Sequence, residues 1–176
     1  PLTQVTGLTA GEISEGETLE NALKKVHALL LAHGPHVVLV GQKPQNDIKW
    51  LQLKQGVHYK EHLDLAEKFR FWNSYYGDWN YFSLAKEAYA LLGVRMHGNA
   101  SHSPLIDAQV SMRLYMNFVA DPDRLSEAVD TLQRMTRQRQ FPPELMANNR
   151  DRNIDGVCGY GYDKRKCKCG QPTQAG

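Results

Sequence analysis

A chain of 176 residues is long enough for one domain with a hydrophobic core. No apolar run approaches the roughly 18 residues of a membrane helix, and a secretory-leader pattern is lacking, so we expect no membrane association and an intracellular location, nuclear or cytoplasmic. All three cysteines follow residue 157, which excludes a disulfide framework through the body of the fold.

The charge is distributed unevenly along the chain. The net charge is +2, yet from Arg134 onward nine basic residues stand against four acidic ones, so the preceding part is net negative. A basic tail suits a polyanion such as a nucleic acid, and it is equally the composition of a solvated tail. Both interpretations stay open for the basic cluster of Lys164, Arg165, Lys166 and Lys168.

The first half of the chain predicts a βαβ pattern. Residues 1–16 are rich in Thr, Gly and Glu and predict a loop, whereas the apolar spacing of 18–33 predicts a helix. The β-branched run 37–41 is typical of a strand buried on both faces of a parallel sheet. A helix over about 46–53 follows, and 62–65 favour a short second strand.

The second half predicts three helices after an aromatic segment. Residues 69–82 hold eight of the sixteen aromatic residues. A helix over 83–92 is expected to end at Gly93, and the last helix is expected over 123–138. Beyond residue 142 no periodicity is visible, which predicts an extended or partly disordered tail.

The stretch SHSPLIDAQVSMRLY, residues 101–115, contains the strongest helix signal. Ser103 is expected to cap the helix with its side chain, and Pro104 suits the first helical position. Ile106, Val110 and Leu114 recur at spacing four, which predicts a core-facing stripe in a helix over 104–119.

Three polar residues are candidates for chemistry. Asp47 opens the helix after the 37–41 strand, Asp107 lies on the first turn of the 104–119 helix, and His102 precedes that helix. Singly, each carboxylate is a common helix-start residue and His102 is a common loop residue. Jointly, two carboxylates could hold Mg²⁺, and a histidine beside them could take a proton from water attacking a phosphodiester.

These residues resemble the DEDDh family of 3′-to-5′ exonucleases, most closely its eukaryotic RNA exonucleases. VVLVGQKPQND with DIKWL resembles the family's second motif, and SHSPLIDAQVSMRLY resembles the third, His, four residues, then Asp. HLDL, FSLAKEAYALLGV and PLTQVTGLTAGEI resemble the segments around them. The resemblance covers about residues 1–120, followed by an accessory helix, 121–141, and a basic Cys-containing tail, 142–176.

The resemblance implies an α/β, RNase H-like exonuclease fold and a site for two Mg²⁺ or Mn²⁺ ions. Asp47 and Asp107 would be metal ligands, and His102 would be the general base. Single-stranded RNA, or DNA, would be the substrate. The family's histidine after Val-Gly is Gln42 here, outside the metal shell.

The family's first motif, Asp-x-Glu on the first strand, is missing from this chain. Glu15-Gly16-Glu17 has carboxylates at that spacing, but it lies after the position where the first three strands should have ended. Because the 37–41 strand would otherwise have a bare edge, we expect an upstream segment or a separate chain to supply those strands. A lone monomer with a sharp, cooperative melt would contradict this expectation.

Two functions therefore remain open. The chain is either part of an active two-metal exoribonuclease, once the first motif is supplied, or a catalytically inactive module that binds nucleic acid or scaffolds proteins. The aromatic residues Trp72, Tyr76 and Trp79 could stack unpaired bases, or they could pack a surface loop or a subunit contact in a homo-oligomer. Cys158, Cys167 and Cys169 are a candidate Zn²⁺ set, but zinc needs a fourth ligand and their spacing fits poorly.

Overall fold

The computed structural model describes residues 8–34, 36–74, 77–96, 103–147, 153–154 and 157–158. It has a mixed α/β fold with several helices and small two-stranded sheets. The helices are α1 (Ala10–Glu15), α2 (Leu19–Ala32), α3 (Gln45–Trp50), α4 (Leu65–Lys68), α5 (Leu84–Leu92), α6 (Pro104–Leu114), α7 (Pro122–Arg137) and α8 (Pro143–Ala147). The strands are β1 (Val38–Gly41), β2 (Glu61–Asp64), β3 (Phe71–Asn73), β4 (Asp78–Asn80), β5 (Asn153–Ile154) and β6 (Val157–Cys158).

The predicted βαβ unit is confirmed. Strands β1 and β2 pair in parallel with Val38 opposite Glu61 and Gly41 opposite Asp64, and α3 lies between them in the chain. The expectation that β1 is buried on both faces is wrong: Val38 is 38% exposed and the rest of the strand is half-buried. Within the described residues β1 pairs with β2 alone, which accounts for this exposure.

Helix caps confirm most of the predicted boundaries. The Thr18 side chain accepts a hydrogen bond from the Asn21 N–H at the start of α2, and Ser83 accepts from the Lys86 N–H at the start of α5. Gly93 ends α5 in the left-handed region at φ 66°, where a glycine avoids the strain of a Cβ atom. By contrast, α3 ends three residues before the predicted boundary, and Gln52 follows at φ 53°.

Three local predictions are wrong. Residues 10–15 form α1 rather than a loop, because Thr9 and Glu12 make a reciprocal capping box. Residues 143–147 form α8 rather than unstructured tail. The Ser103 side chain makes no capping hydrogen bond, although its backbone carbonyl accepts the first bond of the helix from the Asp107 N–H at 3.0 Å.

Helices α5, α6 and α7 pack around the main hydrophobic core, which also takes in the segment from α4 to β3. On α6, Val110 and Leu114 are buried as predicted, but Ile106 is 45% exposed. A π-helical turn, Tyr115–Val119, continues α6. The buried cluster consists of Leu65, Phe69, Phe82, Ala88, Met96, Val110, Leu114, Ala128, Leu132 and Phe141.

Helix α6 also carries an apolar stripe on its outer side. Leu105, Met112 and Met116 are spaced seven and four residues apart and are all exposed. Leu105 and Met112 lie on α6 itself and, at 100° per residue, opposite Val110 and Leu114, so α6 is apolar on two opposite faces. Met116 follows in the π-helical turn. A helix of this kind is expected to be covered on both faces.

No helix within the described ranges combines the length and apolar character needed to cross a bilayer.

Helix α2 is connected to the turn before β2 through two histidines. The rings of His27 and His58 stack with centroids 4.3 Å apart, and His27 Nε2 donates to the Leu51 carbonyl at 2.8 Å. His58 is buried, and its Nδ1 accepts from the Lys54 N–H at 2.9 Å. Burial lowers the pKa of His58, and the charges of His27 and Lys54 lower it further.

We expect the melting temperature to fall as the pH drops below about 6.5, the ordinary pKa of histidine. The unfolded chain then binds a proton that the folded His58 resists, so the free energy of unfolding decreases as the pH falls toward the depressed folded pKa. His58→Gln should flatten this part of the pH profile, measured by thermal melts. The exposed His36→Gln variant is the matched control, and an identical slope in all three proteins would contradict the assignment.

Candidate metal and nucleic-acid site

The carboxyl ends of β1 and β2 meet at one edge of the parallel pair, the position where α/β folds place their ligands. Asp64 closes β2 there, and its Oδ1 accepts from the Lys43 and Ala66 N–H groups, both at 3.0 Å. Asp64 thus caps α4 and fixes the loop that follows β1. The polar groups of this edge are set by backbone hydrogen bonds and do not depend on a ligand for their position.

A buried acid from α5 reaches the same loop. Glu87 is 0% exposed, and its Oε2 accepts from Gln42 Nε2 at 2.5 Å. Its Oε1 has no hydrogen-bond partner among the described residues. Burial raises the pKa of Glu87 well above its usual value; the Gln42 hydrogen bond opposes this shift and the charge of Asp64 adds to it. We infer that Glu87 stays protonated well above its usual pKa.

Glu87 is not among the site residues predicted from the sequence, although the sequence carries a signal for it. Glu87 lies three residues after Leu84 and four before Leu91, which places it on the inward face of α5. A carboxylate within an apolar stripe indicates either a buried acid or an interrupted core. The contact with Glu87 also gives Gln42 a place in the fold, at the position where the resembled family has histidine.

Asp107 lies on the first turn of α6, and α6 packs against β1. The residue is half-buried, and its Oδ1 is shielded from solvent. A carboxylate at this position is favoured by the positive end of the helix dipole. The first turn of α6 therefore presents a partly buried negative charge from an element adjacent to β1.

Asp47 lies on the first turn of α3, directly after the loop that follows β1. Its side chain is exposed, whereas Pro44 before the helix is buried. Both predicted carboxylates thus lie at helix starts, Asp47 on the helix that follows β1 and Asp107 on a helix that packs against β1. Their oxygen atoms are ligands that Mg²⁺ and Mn²⁺ accept.

The described residues do not bring a complete metal site together. Within these ranges no group of three or more His, Cys, Asp or Glu side chains is arranged to hold a metal ion. His102 lies outside the described residues, so its position relative to Asp47 and Asp107 is not given by the structure. Two carboxylates fit one Mg²⁺ completed by water and phosphate oxygens, and a second ion needs further ligands.

Some of the candidate nucleic-acid residues lie within the described part of the chain and others lie outside it. Trp72 and Trp79 lie opposite each other on the β3–β4 hairpin, and both are exposed. Tyr76 lies outside the described residues, as do Lys164, Arg165, Lys166, Lys168, Cys167 and Cys169. The backbone of Cys158 belongs to β6, opposite Asn153. The zinc hypothesis and the basic-tail hypothesis therefore stay predictions.

Comparison of the chain with family models, with curated proteins and with solved structures gives no match.

Proposed function

We propose that this chain is part of a metal-dependent 3′-to-5′ exoribonuclease of RNase H-like fold, completed by a segment that carries Asp-x-Glu. One observation carries the proposal: carboxylates lie on the first turn of the helix that follows β1 in a parallel βαβ unit and on the first turn of a helix that packs against β1. Asp47 is on α3, which follows β1, and Asp107 is on α6, which packs against β1. The order of the motifs along the chain supports the same family.

The proposed chemistry assigns a role to each residue. Asp47 and Asp107 would hold Mg²⁺ or Mn²⁺ together with the Asp and Glu of the added segment. When bound, the ions neutralise charge on the scissile phosphate and make water more acidic. His102 accepts the proton of the attacking water as general base. The RNA substrate would be single-stranded, because a 3′-terminal nucleotide must be separated from any complementary strand to enter such a site.

Two exposed surfaces support the existence of the added segment. The half-buried strand β1 pairs only with β2 in the part of the chain that the structure describes. Next to it, α6 presents its outer apolar stripe of Leu105, Met112 and Met116. A strand added along β1 would satisfy the backbone groups of its edge, and the layer it belongs to would cover the stripe. We propose that one segment, in a longer chain or a separate polypeptide, does both.

A second function, a catalytically inactive module that binds nucleic acid or scaffolds proteins, has its own support. The described residues contain no three-ligand metal cluster, whereas the β3–β4 hairpin exposes two tryptophans. Such a module would bind RNA without any need for metal ions.

A product ladder separates the two functions. The chain is joined to a strand segment carrying Asp-x-Glu and incubated with 5′-labelled single-stranded RNA and Mn²⁺. The enzyme predicts products that shorten one nucleotide at a time, and it predicts none when the segment carries Ala-x-Ala. If the joined protein is folded and the RNA stays intact in both Mg²⁺ and Mn²⁺, the enzyme proposal is rejected and only the binding-module function stands.

A further inference from the structure

The β3–β4 hairpin has two faces of different chemistry. On the inner face, the Phe71 ring packs 5.5 Å from the ring of Phe82, which is 6% exposed. On the outer face, Trp72 is 54% exposed and Trp79 is 38% exposed. The phenylalanines already anchor the hairpin to the core, so burial of the tryptophans is not what holds the hairpin in place.

The outer face forms an ordered platform of four side chains. Trp72 and Trp79 are a directly opposed pair whose rings meet edge to face, with centroids 5.5 Å apart and planes at 76°. Arg70 precedes Trp72 by two residues and lies with its Cζ 4.3 Å from the centre of the Trp79 ring. Tyr81, two residues after Trp79, is 51% exposed. Alternation along the strands places Trp72 and Trp79 on one side of the hairpin, and the contact with the Trp79 ring places Arg70 there. Tyr81 follows β4 directly, and the same alternation carried on by one residue assigns it to that side.

Arg70 gives the platform a positive charge. Among the described residues it forms no ion pair, and its guanidinium rests on an aromatic ring rather than on a carboxylate. A guanidinium held in this way can donate to a phosphate while the neighbouring rings stay exposed. Exposed aromatic rings beside a phosphate-binding cation are the elements of a single-strand nucleic-acid platform.

We propose that Arg70, Trp72, Trp79 and Tyr81 form an accessory site that stacks unpaired bases of single-stranded RNA and binds the adjacent phosphate. The choice of RNA rests on the proposed function. Stacking is tolerant of sequence because every base has an aromatic face, so the site would hold a strand without selecting its sequence. Asp47 and Asp107 lie on α3 and α6 and not on the hairpin, so the platform shares no residue with the proposed metal ligands.

Binding in EDTA tests the platform independently of catalysis. Fluorescein-labelled oligo(U) is titrated with the full chain and followed by anisotropy. Trp72→Ala and Trp79→Ala should each weaken binding roughly 10-fold or more, whereas Trp72→Phe, which keeps a stacking ring, should restore most of it. Leu29→Ala, which shortens a 60% exposed apolar side chain on α2, should leave binding unchanged.

Two further probes distinguish bases from phosphates. An oligomer of abasic phosphate spacers should bind wild type weakly and should not respond to Trp72→Ala. The plot of log affinity against log salt concentration has a negative slope. Arg70→Gln should make this slope less steep by about 0.7, because one single-strand phosphate contact is lost.

Binding of oligo(U) that is equal in wild type, Trp72→Ala and Trp79→Ala, with all three folded, would overturn the platform. So would binding of a proline-rich peptide in place of oligo(U). If the variants still give a product ladder in the joined protein and bind oligo(U) as the wild type does, the platform is rejected and the nuclease proposal stands. Tryptophan-dependent binding without any ladder keeps the platform and rejects the nuclease.

Discussion

Glu87→Ala is expected to lower the free energy of unfolding by about 2–4 kcal/mol, the largest loss that we predict for a polar residue. The substitution empties a fully buried site and leaves the amide of Gln42 without the acceptor that it has in the fold. In a chain of this size the melting temperature should fall by roughly 5–15 °C. Thermal melts followed by circular dichroism measure the change.

Glu87→Gln is expected to behave in the opposite way. It keeps the volume and an acceptor oxygen for Gln42, but it carries no ionisable proton. A carboxyl group whose folded pKa is raised binds a proton that the unfolded chain releases, so it lowers the free energy of unfolding as the pH rises above about 4.5. The Glu87→Gln variant lacks this pH-dependent decrease, so its free energy of unfolding should exceed that of the wild-type protein near pH 8.

The exposed Glu67→Gln variant is the matched control for Glu87→Gln, because it removes a carboxylate from the surface of α4. It should retain the pH profile of the wild-type protein. A pH profile that is the same in wild type and Glu87→Gln would mean that Glu87 is charged in the folded protein, contrary to our assignment.

His102→Ala is expected to lower the turnover of the joined protein by roughly 10²–10⁴-fold, the usual contribution of a general base. Asp107→Asn should abolish the ladder, because it removes the negative charge that the metal requires while keeping the shape of the side chain. Neither change should shift the melting temperature by more than about 3 °C, the equivalent of about 1 kcal/mol. Single-turnover rates on 5′-labelled RNA in Mn²⁺ measure both effects.

Matched residues elsewhere in the chain control for these substitutions. Asp123→Asn changes an exposed carboxylate on the first turn of α7, as Asp107→Asn changes a carboxylate on the first turn of α6. His36→Ala removes an exposed histidine after α2. Both variants should retain the wild-type rate. Full activity in Asp107→Asn would contradict its role as a metal ligand.

Much of the local structure was predictable because it depends on short-range rules. The βαβ unit follows from a β-branched run between helix-period segments, and the limits of α2 and α5 follow from Thr18, Ser83 and Gly93. Capping was a poor guide at two helix starts: Thr9 and Glu12 make two reciprocal bonds that begin α1, and the Ser103 hydroxyl makes no capping bond at α6.

The candidate site was less predictable because it depends on tertiary burial. Charged residues near the start of a helix are usually exposed, yet Lys86 and Glu87 are both buried on α5, and burial lowers the pKa of Lys86 to about 8. The pairing of Glu87 with Gln42 spans 45 residues and has no local pattern. The spacing predicts Ile106 on the core side of α6, whereas its exposure depends on which layer covers that helix.

The number of Mn²⁺ ions bound by the chain tests the central claim most directly. The chain joined to a strand carrying Asp-x-Glu is titrated with Mn²⁺ and free ion is counted by electron paramagnetic resonance. We predict two tightly bound ions per molecule, a loss of tight binding when the strand carries Ala-x-Ala, and the same loss for Asp47→Ala combined with Asp107→Ala. Equal Mn²⁺ binding by all three proteins, each folded, would contradict a metal site shared between this chain and an added strand.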